Sequence, residues 1–284
     1  MSKYKESIMK TIFFVAACTS ILAVALICLF LFINGIPAMT KIGIFDFLMG
    51  TTWKPNNTPP SFGILPMILG SIYVTAGAAV IGVPIGILTA VFMAHYCPPK
   101  LYRILKPAIN LLAGIPSIVY GFFGLVVIVP FIRDTFGGDG NSMLAASILL
   151  GIMILPTIVG ISESAIRAIP QSYYEGALAL GASHERSIFF VILPAAKSGI
   201  MAAIVLGIGR AIGETMAVIM VAGNQARMPA GLLKGVRTLT ANIIIEMGYA
   251  AELHREALIA TSVVLFVFIL IINLLLSLLK RRTG

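Results

Sequence analysis

From Thr11 to Asn34 the chain runs for 24 positions without a charged side chain. A stretch of about 20 apolar residues crosses the roughly 30 Å hydrocarbon core of a bilayer. Five further apolar runs follow, at 66–94, 107–131, 143–162, 198–222 and 257–279. Each must be helical, because lipid offers no partner to an unpaired backbone N–H or C=O. The expected architecture is therefore an all-α membrane protein with six transmembrane helices. Composition agrees: 59% of residues are hydrophobic and 11% charged, where soluble domains carry about 25% charged. The first run exceeds the apolar core of a secretory signal and leads into Asn34-Gly35-Ile36-Pro37, so it is expected to remain as an anchor.

Basic residues set the expected orientation. With the N-terminus inside, twelve of the 20 Lys and Arg fall in cytoplasmic segments, seven outside and one, Arg210, within a span. The excess favours N-in, C-in. The net charge of +9 then implies contact with anionic lipid and no nucleic acid. Cys18, Cys28 and Cys97 show no metal or disulfide spacing and act as small apolar fillers. Residues 35–65, rich in Pro and Asn, form an irregular first external loop, with the sole tryptophan, Trp53, at the membrane interface. Gly82-Val83-Pro84-Ile85-Gly86 and Gly121-Phe122-Phe123-Gly124 place small residues and breakers inside spans, where they serve close helix packing or line a path. Gly209 and Gly213 give a further close-packing face.

A polar segment, Gln171 to Pro194, interrupts this apolar pattern. Ser172-Tyr173-Tyr174-Glu175 fits a capping box. Gly181 supplies a left-handed stop, and Ser183 can cap a second short helix running to Phe190. The segment is thus expected to form two short helices joined at Gly181. Tyr173, Tyr174, Ala177 and Leu178 make one side of the first apolar. Glu175 and Glu185 offset Arg186, so the polar face is not basic enough for a lipid-lying helix. A soluble protein partner is the better reading. No Gly-Lys dipeptide exists in the chain, hence no phosphate-cradling loop. If ATP drives this protein, another subunit binds it, and the chain itself needs no cofactor.

Arg210 and Glu214 stand out as an acid–base pair deep in a span, four apart on one helical face. An Arg at helix centre costs about 2.5–3.5 kcal/mol on insertion scales and usually serves a pathway. The planar Arg fork suits a tetrahedral oxyanion. A carboxylate beside it would repel a fully ionised anion but accept a hydrogen bond from a protonated one, which favours phosphate over sulfate.

Two sets of residues resemble known signatures. Glu175, Ala177, Gly181, Val191, Leu193 and Pro194 resemble the Glu-Ala-Ala…Gly…Ile-x-Leu-Pro pattern of membrane subunits of binding-protein-dependent ABC importers, with Gly176 for Ala and Val191 for Ile. Residues 111–125, 154–158, 209–218 and 242–248 look like the PstC-type permease of the phosphate importer. The resemblance spans about 63–278 and implies a MetI-like core at 63–279, preceded by an anchor helix and first periplasmic loop at 1–62. It makes 171–194 the coupling loop, with Ser172, Glu175, Ala177, Gly181, Leu193 and Pro194 at the ATPase contact. Arg210, Glu214 and Ser117 fall on the expected substrate path. The partners implied are a PstA-like permease, a PstB-like ATPase dimer and a PstS-like phosphate-binding protein, in a bacterial inner membrane. Four alternatives stay open: a permease for sulfate or molybdate, the PstA-type sister subunit, an ATP-independent channel, and an intramembrane enzyme using Glu214, Ser117 or His95.

Overall fold

The computed structural model describes residues 2–283. Fourteen helices and one small hairpin follow in order. They are α1 (Ser2–Ile42), α2 (Ile44–Met49), β1 (Trp53–Lys54), β2 (Ser61–Phe62), α3 (Leu65–Val91), α4 (Pro99–Gly114), α5 (Ser117–Phe123), α6 (Val129–Phe136) and α7 (Met143–Arg167). Then come α8 (Gln171–Ala179), α9 (His184–Ser187), α10 (Leu193–Ala195), α11 (Lys197–Gly213), α12 (Met216–Val221), α13 (Leu239–Met247) and α14 (Glu252–Thr283). π-helical turns at Phe92–Tyr96, Gly124–Ile128 and Ile188–Ile192 extend α3 and join α5 to α6 and α9 to α10.

Five helical stretches are long and apolar enough to cross a membrane, and a bent pair makes a sixth. The six-span expectation is met, with three changes of detail. The third run does not start at 107: α4 ends at Gly114, Ile115 and Pro116 are extended, and the span begins at Ser117. Pro116 removes a donor and disfavours helix at the residue before it. The fifth span is bent by 68° where α10 gives way to α11, and it breaks again at Glu214, which is extended. The 35–65 segment is ordered: α1 continues to Ile42, α2 follows, and the hairpin pairs Trp53 with Phe62. The 223–256 segment likewise contains α13, whose first turn is capped by Thr238 accepting from the Ala241 amide at 3.2 Å.

The centre of the bundle is α3 packed on α7, with α5, α6, α11 and α12 around them. Glycines let α3 and α7 approach. A Cβ on Gly82 would sit 2.7 Å from Ile154 Cγ1 and 2.8 Å from the Gly151 carbonyl. Gly86 meets Ile158 in the same way. Gly121 and Gly124 press α5 onto Ala217, Met220 and Val221 of α12. These glycines therefore serve packing, by bringing backbones together where lipid gives no hydrophobic drive. Gly209 and Gly213 do not: Gly213 has nothing within 4 Å, and Gly207 packs on Ile158 in their place. A second cluster joins the end of α1 with α2, the hairpin, α13 and α14. A third, at the opposite end, joins the π turn after α3 to α7, α10 and α11.

Candidate functional site

The interrupting segment folds as two short helices about Gly181, whose φ of +84° is a conformation that costs any residue with a Cβ. The Gly181 amide bonds Leu178 O at 2.9 Å, and the Ala182 amide bonds Ala177 O at 3.1 Å. Such bonds close a helix C-terminus. The expected capping box does not form: α8 starts at Gln171 behind Pro170, and no side chain caps it. Ser172 thus lies inside the first turn, and the cap position is held by Pro170, whose ring offers no acceptor to the free N–H groups there. Ser183 does cap the second helix, accepting from the Arg186 amide at 3.3 Å. At the start of α9 the Glu185 carboxyl is held below its usual range, first by its own backbone amide and then by Ser183. Helix then continues through the π turn to Ala195.

The apolar residues of α8 divide. Ala177 is buried and Tyr174 half-buried, while Tyr173, Leu178 and Leu180 face out. Leu180 is 91% exposed. Glu175 is also exposed, Leu193 is half-buried and Pro194 exposed. Tyr174 donates to or accepts from His184 Nδ1 at 2.7 Å, a bond that spans the Gly181 turn.

Arg210 and Glu214 are not a helical pair. Because α11 ends at Gly213, the Glu214 carboxylate turns to the next helix, where Oε1 accepts from the Ala217 amide at 3.2 Å. Thr240 of α13 donates to the Glu214 carbonyl at 3.3 Å, occupying a backbone group the break sets free. The rule that residues four apart share a face holds only within one continuous helix. Among the described residues Arg210 makes no ion pair, and its one hydrogen bond runs to Thr157 Oγ1 at 3.4 Å. It is half-buried, and its neighbour Ala211 packs in the same cluster as Tyr120 of α5. Ser117 is half-buried at the start of α5. It shares a face with Gly121 and Gly124, the face set against α12 and α7. The fold thus brings Ser117's helix, Arg210 and Thr157 together, and aims the Glu214 carboxylate elsewhere.

Two buried carboxylates escaped the reading of the sequence. Glu163, 1% exposed, receives Lys106 Nζ at 2.5 Å, Tyr102 Oη at 2.7 Å and Arg167 Nε at 2.8 Å. This fastens α4 to α7, and the bond to Glu163 pushes the Tyr102 phenol up. The signal was present as Glu163 four before Arg167, the favourable order, in a helix that runs five residues past 162. Glu246, 5% exposed, receives Arg237 Nη1 at 2.5 Å, Trp53 Nε1 at 2.7 Å and His254 Nε2 at 2.8 Å. Nothing local announces that cluster. It also moves Trp53 from the expected interface to the interior, 5% exposed, and draws the Arg237 side chain inward to 15% exposure.

Membrane-length helices, one span of them bent, mark an integral membrane protein. A family model described as "Binding-protein-dependent transport system inner membrane component" matches residues 82–284, and the chain belongs to that family. It is 41% identical to the probable ABC transporter permease protein YqgH of Bacillus subtilis (strain 168), over 93% of this chain and 89% of that one. It is 34% identical to the phosphate transport system permease protein PstC of Mesorhizobium japonicum, over 89% and 84%. Against the probable PstC of Methanocaldococcus jannaschii the figure is 32%, over 87% and 84%. Among solved structures, a chain of the inward-facing methionine ABC transporter MetNI aligns with a TM-score of 0.63 at 22% identity, covering 78% of this chain and 96% of that one. The bacterial alginate ABC transporter bound to its periplasmic protein aligns at 0.58, with 16% identity and 94% of both chains covered. The MetI-like permease fold is thereby shown.

Proposed function

We propose that this chain is a permease subunit of an ATP-driven importer of inorganic phosphate. It forms the path with a second, PstA-like permease and is driven by a PstB-like ATPase dimer that binds the ATP. A PstS-like binding protein delivers phosphate from outside. Both termini lie in the cytoplasm of a cell with this chain in its inner membrane. Residues 1–62 act as anchor and external cap, and 63–279 as the transport core.

The observation that carries the coupling role is the outward face of the interrupting loop. Tyr173, Leu178 and Leu180 stand exposed within one short loop, and exposed apolar side chains concentrated in this way suit a protein contact. Glu175, Gly181, Leu193 and Pro194 shape that element, Ala177 seats it, and Ser172 lies on its first turn. Phosphate is supported by the names of the PstC relatives and by Arg210, a half-buried guanidinium in the broken fifth span that makes no ion pair among the described residues. Arg210, assisted by Thr157 and Ser117, attracts the anion. Glu214 shapes the helix break beside it. Radiolabelled phosphate uptake, with sulfate and molybdate as competitors, tests the reading, together with co-purification of ATPase subunits. Unchanged phosphate uptake after deletion of this chain rejects it.

A further inference from the structure

A cavity of ≈ 410 Å³ lies behind the interrupting loop, away from the proposed path. Its polar lining is His95, Arg167, Gln171, Tyr174 and His184. Three of these side chains carry or can carry positive charge, and none is acidic. Glu163, the nearest buried carboxylate, is already shared by Lys106 and Arg167, so this end of the bundle keeps an excess of cation. Glu175 and Glu185 of the loop are exposed.

The lining is also incompletely bonded. Among the described residues His95 Nε2 is buried with no hydrogen-bond partner, although buried polar atoms are almost always satisfied. Arg167 uses Nε on Glu163 at 2.8 Å and Nη2 on the Met93 carbonyl at 2.7 Å. Its Nη1 makes no protein hydrogen bond among the described residues. His184 is held through Nδ1 by Tyr174 at 2.7 Å, which leaves Nε2 for a ligand. A water occupies about 30 Å³ in the liquid, so a tetrahedral oxyanion with several waters fits easily.

We propose that this cavity binds a phosphate-type oxyanion, held by His95, Arg167 and His184. Occupancy has a mechanical consequence. Tyr174 and His184 lie on opposite sides of Gly181, and His95 belongs to the π turn that ends the second span. An anion bridging His95 and His184 ties both arms of the loop to that span and resists any change of angle at Gly181. The regulatory meaning rests on the importer reading, in which this face is cytoplasmic; the binding itself does not.

The chain's three histidines supply the test, because His254 lies buried in the Glu246 cluster, in a different part of the fold. The full chain, with ¹⁵N-labelled histidine, is placed in zwitterionic lipid nanodiscs and titrated with inorganic phosphate, then sulfate, at constant ionic strength. Saturable shifts of the His95 and His184 ring signals with His254 unmoved are expected. His95→Ala should weaken that response about tenfold or more, the loss of one charge-assisted hydrogen bond, while the Tyr174–His184 bond signal persists. Arg210→Ala should leave it intact, which separates this site from the path. If His95 and His184 are already shifted in anionic-lipid discs before phosphate is added, the phosphate group comes from a lipid headgroup. No saturable shift, or equal shifts at all three histidines, overturns the proposal. Should phosphate uptake fail while the shifts remain, the importer reading falls and the site stands; uptake without shifts removes the site alone.

Discussion

Trp53 donates its indole N–H to Glu246 Oε2 at 2.7 Å, across 193 positions of sequence. The same oxygen meets His254 at 2.8 Å, and the other carboxylate oxygen meets Arg237. One buried carboxylate therefore joins the hairpin after the first helix, the 223–237 connection and the start of α14. Glu246→Ala leaves the half-buried Arg237 without its ion pair and should destabilise the protein by about 3–5 kcal/mol. Trp53→Phe keeps most of the ring packing, loses one hydrogen bond and should cost about 1.5–3 kcal/mol. Thermal unfolding in detergent measures both. Because Trp53 is the only tryptophan, a red-shifted emission in Glu246→Ala would report the hairpin coming loose, and an unchanged spectrum would contradict its role as the anchor point.

The glycine contacts separate two kinds of position. Gly82 faces Ile154 and the Gly151 carbonyl at under 3 Å for a hypothetical Cβ, while Gly213 faces open space. Gly82→Leu should force α3 off α7 and cost about 1–3 kcal/mol. Gly213→Ala should stay within about 0.5 kcal/mol of wild type. Equal melting temperatures for the two variants would refute the packing argument.

The break at Glu214 predicts unequal effects on transport. Arg210→Ala should lower phosphate uptake by about tenfold or more, in keeping with loss of a charge-assisted bond. Glu214→Gln should retain uptake within about twofold, because the amide oxygen can still accept from the Ala217 amide and keep the cap. Glu214→Ala should lose about 0.5–2 kcal/mol of stability through the missing cap. Initial uptake rates normalised to protein level decide the matter, and a Glu214→Gln variant as inactive as Arg210→Ala would show the carboxylate acting on substrate after all.

Leu180 and Gly181 test the loop in different ways. Leu180→Asp changes a side chain that is 91% exposed, so the chain's own stability should hold within about 0.5 kcal/mol. Its co-purification with ATPase subunits should fall sharply. Gly181→Val forces a β-branched residue to a φ of +84° and should cost about 1–3 kcal/mol locally. That strain should change the ratio of ATP hydrolysed to phosphate moved. Normal ATPase recovery with Leu180→Asp would place the contact elsewhere.

Much of the architecture was legible because lipid enforces it. A bilayer demands helices of a given length, so charge-free runs such as Thr11 to Asn34 announce themselves without reference to any other part of the chain. The turn at Gly181 and the cap at Ser183 were legible for a local reason: each is satisfied by groups within a few residues. The capping box at Ser172 had the right letters and failed, since Pro170 takes the cap position two residues earlier.

The sequence by itself determined that the chain spans a membrane, where most spans lie and that a two-helix loop interrupts them. Only the tertiary structure decided which charges meet. Arg210 and Glu214 looked paired because an unbroken helix was assumed, and a break one residue before Glu214 parted them. Glu246 looked unremarkable, yet it gathers Trp53, Arg237 and His254 from three segments. Local rules act over one or two helical turns, whereas a buried carboxylate is satisfied by whatever donors the folded chain carries to it.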